Sequence, residues 1–229
     1  MLNSSTQKFD FNSWLFQLIP RIESDFKILD LGSGTGAQTK WFLDKIGENG
    51  HVCALDASAE SLGLIPSKNN LDKYVLDFNN FRELKNTLFG KKFDIINSTY
   101  AIYYCDEPLE LISLLRSNYL NKNGSIVIAG PTWDHDLFAL ITNKFGDNAK
   151  VRKTIDFMET ELTPYLRSLS GSYELHYLNN LSSFVSVEDA QNFIKSTSYG
   201  AEIDPGEIKI LLETLDSFKF RKTSLAAIF

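Results

Sequence analysis

Ile28-Leu29-Asp30-Leu31-Gly32-Ser33-Gly34-Thr35-Gly36 decides how this chain is read. The apolar run 26–31 predicts a buried strand, and Trp41, Phe42, Lys45 and Ile46 recur on one face of a helix. Between them stand glycines at alternate positions. Glycine permits a sharp turn and lets a ligand lie against backbone N–H groups at a helix N-terminus, so strand, glycine turn and helix together point to a nucleotide-like ligand.

The same unit recurs outward from this point. Strand 51–56 leads to a helix over 58–65 stopped by Pro66. Strand 73–77 leads to a helix around Phe81, Leu84 and Leu88, and strand 93–98 to a helix over about 107–120 with Pro108 as its first residue. Asn121-Lys122-Asn123-Gly124 then introduces strand 125–129. Strands alternating with helices imply a parallel sheet covered on both faces, because parallel neighbours need crossover connections.

Before this region, Phe11, Trp14, Leu15, Leu18 and Ile19 mark an amphipathic covering helix that ends at Pro20. After it the rhythm breaks. Residues 137–169 read as helical with a boundary at Thr163-Pro164, residues 173–184 as a long strand, and Ser186 as the cap of a further helix. A last helix over 205–218 and a strand over 222–229 close the chain. One domain spans 1–229, with a covering segment 1–25, a cofactor-binding core 26–136 and an acceptor-side region 137–229.

With 43% hydrophobic residues, the chain of 229 is an ordinary folded domain rather than a disordered one. Its 23 basic and 29 acidic residues give a net charge of −6 with no long basic run, which argues against nucleic acid and anionic membrane as partners. No apolar stretch reaches the roughly 20 residues that a membrane span requires, so a cytoplasmic protein is expected. Cys53 and Cys105 are the only cysteines, too few for a disulfide framework or a structural zinc site, and no metal is expected.

The glycine spacing alone also fits a dinucleotide fingerprint, with Asp56 about 20 residues on to hold ribose hydroxyls. The acids discriminate. Asp30 ends the first strand, where a carboxylate repels a pyrophosphate and attracts an ammonium or sulfonium. Asp56 ends the second strand, placed for a ribose diol, and Asp77-Phe78 ends the third, where a carboxylate and a ring suit adenine. Ligands of open parallel sheets bind outside the carboxyl ends of the strands, which gathers these acids in one crevice.

With these residues in place, the chain resembles the class I S-adenosylmethionine-dependent methyltransferases over roughly residues 26–130. The resemblance implies a doubly wound, Rossmann-like, seven-stranded and mainly parallel sheet with its last strand antiparallel. It implies that Gly32, Ser33, Gly34 and Gly36 line the methionine part of S-adenosylmethionine, Asp56 and Ala57 the ribose, Asp77 and Phe78 the adenine, and that Ser98 forms the cofactor's floor. By analogy, a small helical cap inserted over 187–218 would cover a small-molecule acceptor; Phe193, Ile194, Ile208, Leu211, Leu212 and Leu215 are equally explained as faces packed on the sheet, and an interface with another protein or copy is the third reading.

Acceptor-side expectations fall after strands four and five. Ser98-Thr99-Tyr100 departs from the pattern of enzymes that methylate nucleic-acid base amino groups. Tyr100, Tyr103, Tyr104 and Trp133 are expected to wall the acceptor site, with core packing as the other reading. His135 is the candidate general base, since histidine titrates near neutrality; a loop histidine bonded to Asp134 or Asp136 is the alternative. The function expected is methyl transfer to an O or N of a small metabolite or natural-product intermediate, with oligomerisation open. The alternatives are an NAD-binding oxidoreductase and a non-catalytic S-adenosylmethionine-binding relative.

Overall fold

The computed structural model describes residues 5–146, 149–197 and 199–229. Its strands are β1 (Ser5–Gln7), β2 (Lys27–Leu31), β3 (His51–Asp56), β4 (Leu71–Val75), β5 (Phe93–Thr99), β6 (Leu120–His135), β7 (Glu174–Phe184) and β8 (Lys219–Ile228). They form one eight-stranded mixed sheet in the order β1-β7-β8-β6-β5-β2-β3-β4. Strands β4, β3, β2, β5 and β6 run parallel, whereas β8 is antiparallel to both β6 and β7, and β1 is antiparallel to β7.

The expected count of seven is therefore corrected to eight. The additional strand is Ser5-Thr6-Gln7, which pairs with Phe184, Ser183 and Ser182. A short polar edge strand held through its backbone leaves no hydrophobic period to read. Two boundaries also move. The third parallel strand is Leu71–Val75 rather than 73–77, because its ladder runs from Val52↔Leu71 to Asp56↔Val75 and ends with β3. Strand β6 extends far beyond 125–129 to His135, since after leaving β5 it continues along β8.

Alternating side chains bury both faces of the sheet. Ile28, Val52, Ile95 and Val127 face a core closed by Leu15 of α1 (Phe11–Leu18) and Phe42 and Leu43 of α2 (Ala37–Lys45). Leu29, Leu31, Leu55 and Ile96 face the opposite core. It is closed by Leu84 of α4 (Phe81–Thr87) and by Leu111 and Leu115 of α5 (Pro108–Asn118). Helix α3 (Ala59–Gly63) is capped by Ser58, whose hydroxyl accepts from Ser61 N–H at 3.1 Å.

The region read as helical over 137–169 comprises α6 (Asp136–Phe145), α7 (Ala149–Phe157), a π-helical segment (Met158–Leu162) and α8 (Thr163–Ser168). Pro164 sits where the π-helical segment passes directly into α8, and lacking an N–H it interrupts the backbone ladder at that junction. Helices α9 (Val187–Lys195) and α10 (Pro205–Glu213) are inserted between β7 and β8. Their Ala190, Ile194, Ile208 and Leu212 form a third core with Leu137 and Ile141 of α6 and Phe184 and Phe220 of the sheet.

The glycine turn is fixed by space as well as by backbone conformation. Gly32 has φ +73°, and a Cβ there would lie 2.2 Å from the Ala101 Cβ; Gly34 has φ +51° and open space around it. Gly34→Ala should thus cost about 1 kcal/mol, the left-handed backbone penalty alone. Gly32→Ala should cost at least about 2 kcal/mol more, because the overlap adds to that penalty. Urea unfolding midpoints separate the two, and equal losses would contradict this account of the turn.

Candidate functional site

Chain order reverses at β2, which has β3 on one side and β5 on the other, so a crevice opens above its carboxyl end. The turn after β2 is drawn over β3, with Gly32 and Ser33 N–H groups donating to the Leu55 carbonyl at 2.8 and 3.0 Å. Gly36, at φ +83°, then starts α2. The resulting crevice of about 450 Å³ is lined by Gly32, Ser33, Gly34, Asp56, Ala57 and Phe78. Thr35, Ala37, Gln38, Thr99, Tyr100, Ala101 and Tyr104 complete it.

Asp56 spans the mouth of this crevice. Its Oδ2 accepts from Gly34 N–H and its Oδ1 from Ser58 N–H, both at 2.8 Å. Above it the covering helix α1 is tied down, because Asn12 Oδ1 accepts from Gln38 Nε2 at 2.7 Å. Phe78 is buried and close enough to the turn that a Cβ on Gly32 would lie 3.8 Å from its Cε1.

Four expected cofactor residues stand elsewhere. The Asp30 carboxylate is turned into the core, where it accepts from Thr39 Oγ1 and from Asn97 Nδ2 (2.8 Å). Burial pushes its carboxyl up from the ordinary range, and the Thr39 and Asn97 hydrogen bonds pull it back. Asp30 therefore braces the turn from beneath and does not present a charge in the crevice. Gly36 faces the Ile65 side chain. Ser98 is buried in β5, its hydroxyl without a hydrogen-bond partner among the described residues. Asp77 lies beyond β4, exposed, accepting from Asn79 N–H at 2.9 Å.

Ala101 and Gln38 line the crevice without having been singled out in the sequence, and Thr99 lines it without having been assigned to the cofactor. Adjacency to Ser98 and to the turn was the available signal. The close approach of Ala101 to Gly32 is a tertiary contact between segments far apart in sequence.

A second cavity of about 240 Å³ shares Tyr100 and Tyr104 with the crevice and adds Tyr103, Pro131, His135, Tyr199 and Lys222. Tyr100 holds the junction at φ +54°, its hydroxyl 2.7 Å from Ser224 Oγ. Tyr103 is buried, which raises its phenol pKa, whereas Tyr104 is half-exposed. Trp133 does not line the cavity. A register shift between Pro131 and His135 breaks the strand alternation and turns Trp133 outward beneath Arg152, whose guanidinium carbon lies 4.7 Å from the ring centroid.

His135 is placed differently from a general base. It is buried and caps α6, its Nδ1 accepting from Phe138 N–H at 3.3 Å. Burial, with help from the charge of Lys222, lowers its pKa to about 4. The ring is then neutral near pH 7 with its proton on Nε2, a donor and a poor proton acceptor. Nor is it held by its neighbours: Asp134 and Asp136 face Arg221 at 3.5 and 3.3 Å.

Away from the crevice, His51, Cys53 and Asp72 bring possible metal-ligating atoms within 4.8 Å of one another. Lys91 Nζ stands 3.3 Å from Asp72 there and 4.0 Å from Cys53 Sγ, while burial raises the Cys53 thiol to about 11. An ammonium thus already supplies the positive charge of this cluster.

Crevice, glycine turn and sheet order together define an α/β enzyme that binds a nucleoside-type cofactor at its switch point. Residues 22–180 match the methyltransferase domain family, and the chain belongs to it. It is an S-adenosylmethionine-dependent methyltransferase, which overturns the oxidoreductase reading of the same glycine spacing. No curated protein sequence matches it.

Among solved structures the fold is similar to a putative methyltransferase from Bacillus halodurans (16% identity, TM-score 0.62, covering 95% of this chain and 97% of that one). It is similar also to the YcgJ protein from Bacillus subtilis (13% identity, TM-score 0.61, covering 95% and 96%). A third is the plantazolicin methyltransferase BpumL, solved with a pentazolic desmethylPZN analog and SAH (16% identity, TM-score 0.52, covering 94% and 81%). Among the described residues, no helix is long and apolar enough to cross a membrane.

His135 predicts an acid dependence of stability. Its pKa falls from 6.5 in the unfolded chain to about 4 in the folded one, so the folded state binds fewer protons between these values. Stability from the neutral ring is present above pH 6.5 and is lost as pH falls toward 4, about 3 kcal/mol in all. His135→Asn keeps a capping acceptor without titrating. Its unfolding free energy should therefore fall less than that of the wild type between pH 7 and 4.5, and parallel curves would refute the assignment.

Proposed function

We propose that the chain methylates an oxygen or nitrogen of a small metabolite or natural-product intermediate held in the 240 Å³ cavity. The observation that carries this reading is the continuity of the two spaces, since Tyr100 and Tyr104 line both. The cavity is small, and the net charge of −6 disfavours a polyanionic substrate.

The crevice residues fit the cofactor. Gly34 leaves open space over the turn, Asp56 offers carboxylate oxygens at the mouth, Phe78 offers a ring, and the Ser33 hydroxyl is buried without a partner among the described residues. In this reading Gly32, Ser33 and Gly34 hold the methionine part, Asp56 and Ala57 the ribose, and Phe78 the adenine with Asp77 beside it. Asp30, Gly36 and Ser98 form the supporting layer. S-adenosylmethionine supplies, when bound, an electrophilic methyl group on a sulfonium.

The chain's own contribution is alignment. Methyl transfer is an in-line displacement, so holding the acceptor atom on the reaction axis supplies much of the rate. Tyr100 and Tyr104 form the rim through which the acceptor meets the crevice, and His135 orients it as an Nε2–H donor rather than removing its proton. The inserted segment acts as the cap over the acceptor, contributing Phe193, Ser196, Thr197 and Tyr199 to the cavity wall.

Calorimetry tests the cofactor half of this reading. S-adenosylhomocysteine should bind the wild type and NAD should not, and Asp56→Ala should weaken S-adenosylhomocysteine by about 1 to 3 kcal/mol through loss of a charged hydrogen-bond acceptor. Unchanged affinity would remove Asp56 from the site. Release of S-adenosylhomocysteine with a panel of small phenols and amines tests the acceptor half.

A further inference from the structure

The two faces of β8 separate the charges around the second cavity. Arg221 and Thr223 lie on one face, where Arg221 pairs with Asp134 and Asp136 and Thr223 donates to Asp134 at 2.8 Å. Lys222 lies on the other, opposite His135 in the ladder, with its Nζ 4.7 Å from the Tyr100 ring centroid. Among the described residues no carboxylate pairs with Lys222, and no aspartate or glutamate lines the 240 Å³ cavity that it enters. The larger neighbouring chamber that Lys222 also lines contains Asp10, whose carboxylate caps α1 by accepting from Ser13 N–H at 2.7 Å.

Two residues with neutral donors, Tyr199 and His135, line the same space. The Tyr199 hydroxyl is buried beside the Thr197 hydroxyl, which donates to the Ile194 carbonyl at 2.6 Å and keeps lone pairs with which to accept from it. His135, its Nδ1 occupied by Phe138 N–H, keeps Nε2–H, and its ring meets Tyr199 edge-on at 5.7 Å. A cation with neutral donors beside it and no acid among the lining residues favours an anionic ligand over a neutral one. A carboxylate accepts from several donors at once through charge-assisted hydrogen bonds, which a neutral amide does not.

We propose that the acceptor is a small aromatic carboxylic acid, its carboxylate held by Lys222 with Tyr199 and His135 as supporting donors and its ring against Tyr103, Tyr104 and Phe193. This rests on the reading of the cavity as the acceptor site. The carboxylate is a handle for orientation and lies away from the atom that receives the methyl group. Lys222 is in this sense the specificity-determining residue.

The probes are 4-hydroxybenzoate and 4-hydroxybenzamide, equal in size and differing in charge, each titrated into the protein saturated with S-adenosylhomocysteine and followed by NMR shifts. The acid should bind at least tenfold more tightly than the amide. Lys222→Met should abolish that preference and Lys222→Arg should retain most of it, with S-adenosylhomocysteine affinity unchanged in both. Equal affinities in the wild type, no binding of either probe, or a preference that survives Lys222→Met would overturn the proposal. Failure of the wild type to bind S-adenosylhomocysteine would instead overturn the cofactor-site reading on which it rests. Should Lys222→Met fail to fold, the acid–amide comparison in the wild type and in Lys222→Arg still decides.

Discussion

The Asp30 carboxylate, buried between β2, β5 and α2, is the constraint on which the rest depends. Its oxygens accept from Asn97 of β5 and from Thr39 in the first turns of α2, so one side chain ties two adjacent strands to the helix that follows the glycine turn. Burying a carboxylate is costly unless its lone pairs are satisfied, and these bonds are what make the position tolerable. With β2, β5 and α2 held together, the turn can only pass over the end of β3, where Leu55 receives its first N–H groups. The crevice is the space left above.

From that brace the second cavity follows by packing. Tyr100 leaves β5 in a left-handed conformation and is fastened to Ser224 of β8, which places its ring where crevice, cavity and the larger chamber meet. The inserted helices add a hydrophobic core of their own against α6. Docking in this way holds Phe193 and Tyr199 over the cavity without disturbing the parallel half of the sheet. The crevice and the second cavity thus draw most of their walls from different parts of the chain and share Tyr100 and Tyr104.

Much of this was legible in the sequence for a definite reason. Parallel strands buried on both faces read as continuous apolar runs, and a strand followed by alternate glycines and a helix has few physical interpretations, so the alternating order and the crevice residues Gly32, Gly34, Asp56 and Phe78 were legible locally, while Ser33 and Ala57 came through the family resemblance. The short edge strand at Ser5–Gln7 was not, since backbone pairing leaves no mark on side-chain pattern. Trp133 was misplaced because a register shift between Pro131 and His135 overrides the alternation from which orientation is inferred.

Asp30, His135 and Lys222 mark where local reading ends. Sequence by itself determined the alternating α/β order, the glycine turn and the acids near successive strand ends, because strand and helix periodicity and glycine's backbone freedom are properties of short segments. Only the tertiary structure decided that Asp30 points down into Thr39 and Asn97, that His135 caps a helix as a neutral donor, and that Lys222 faces a cavity without an acid. Direction, burial and pairing of a charge depend on residues brought together from distant parts of the chain, and the energy of a charged group is set by those neighbours rather than by its own place in the sequence.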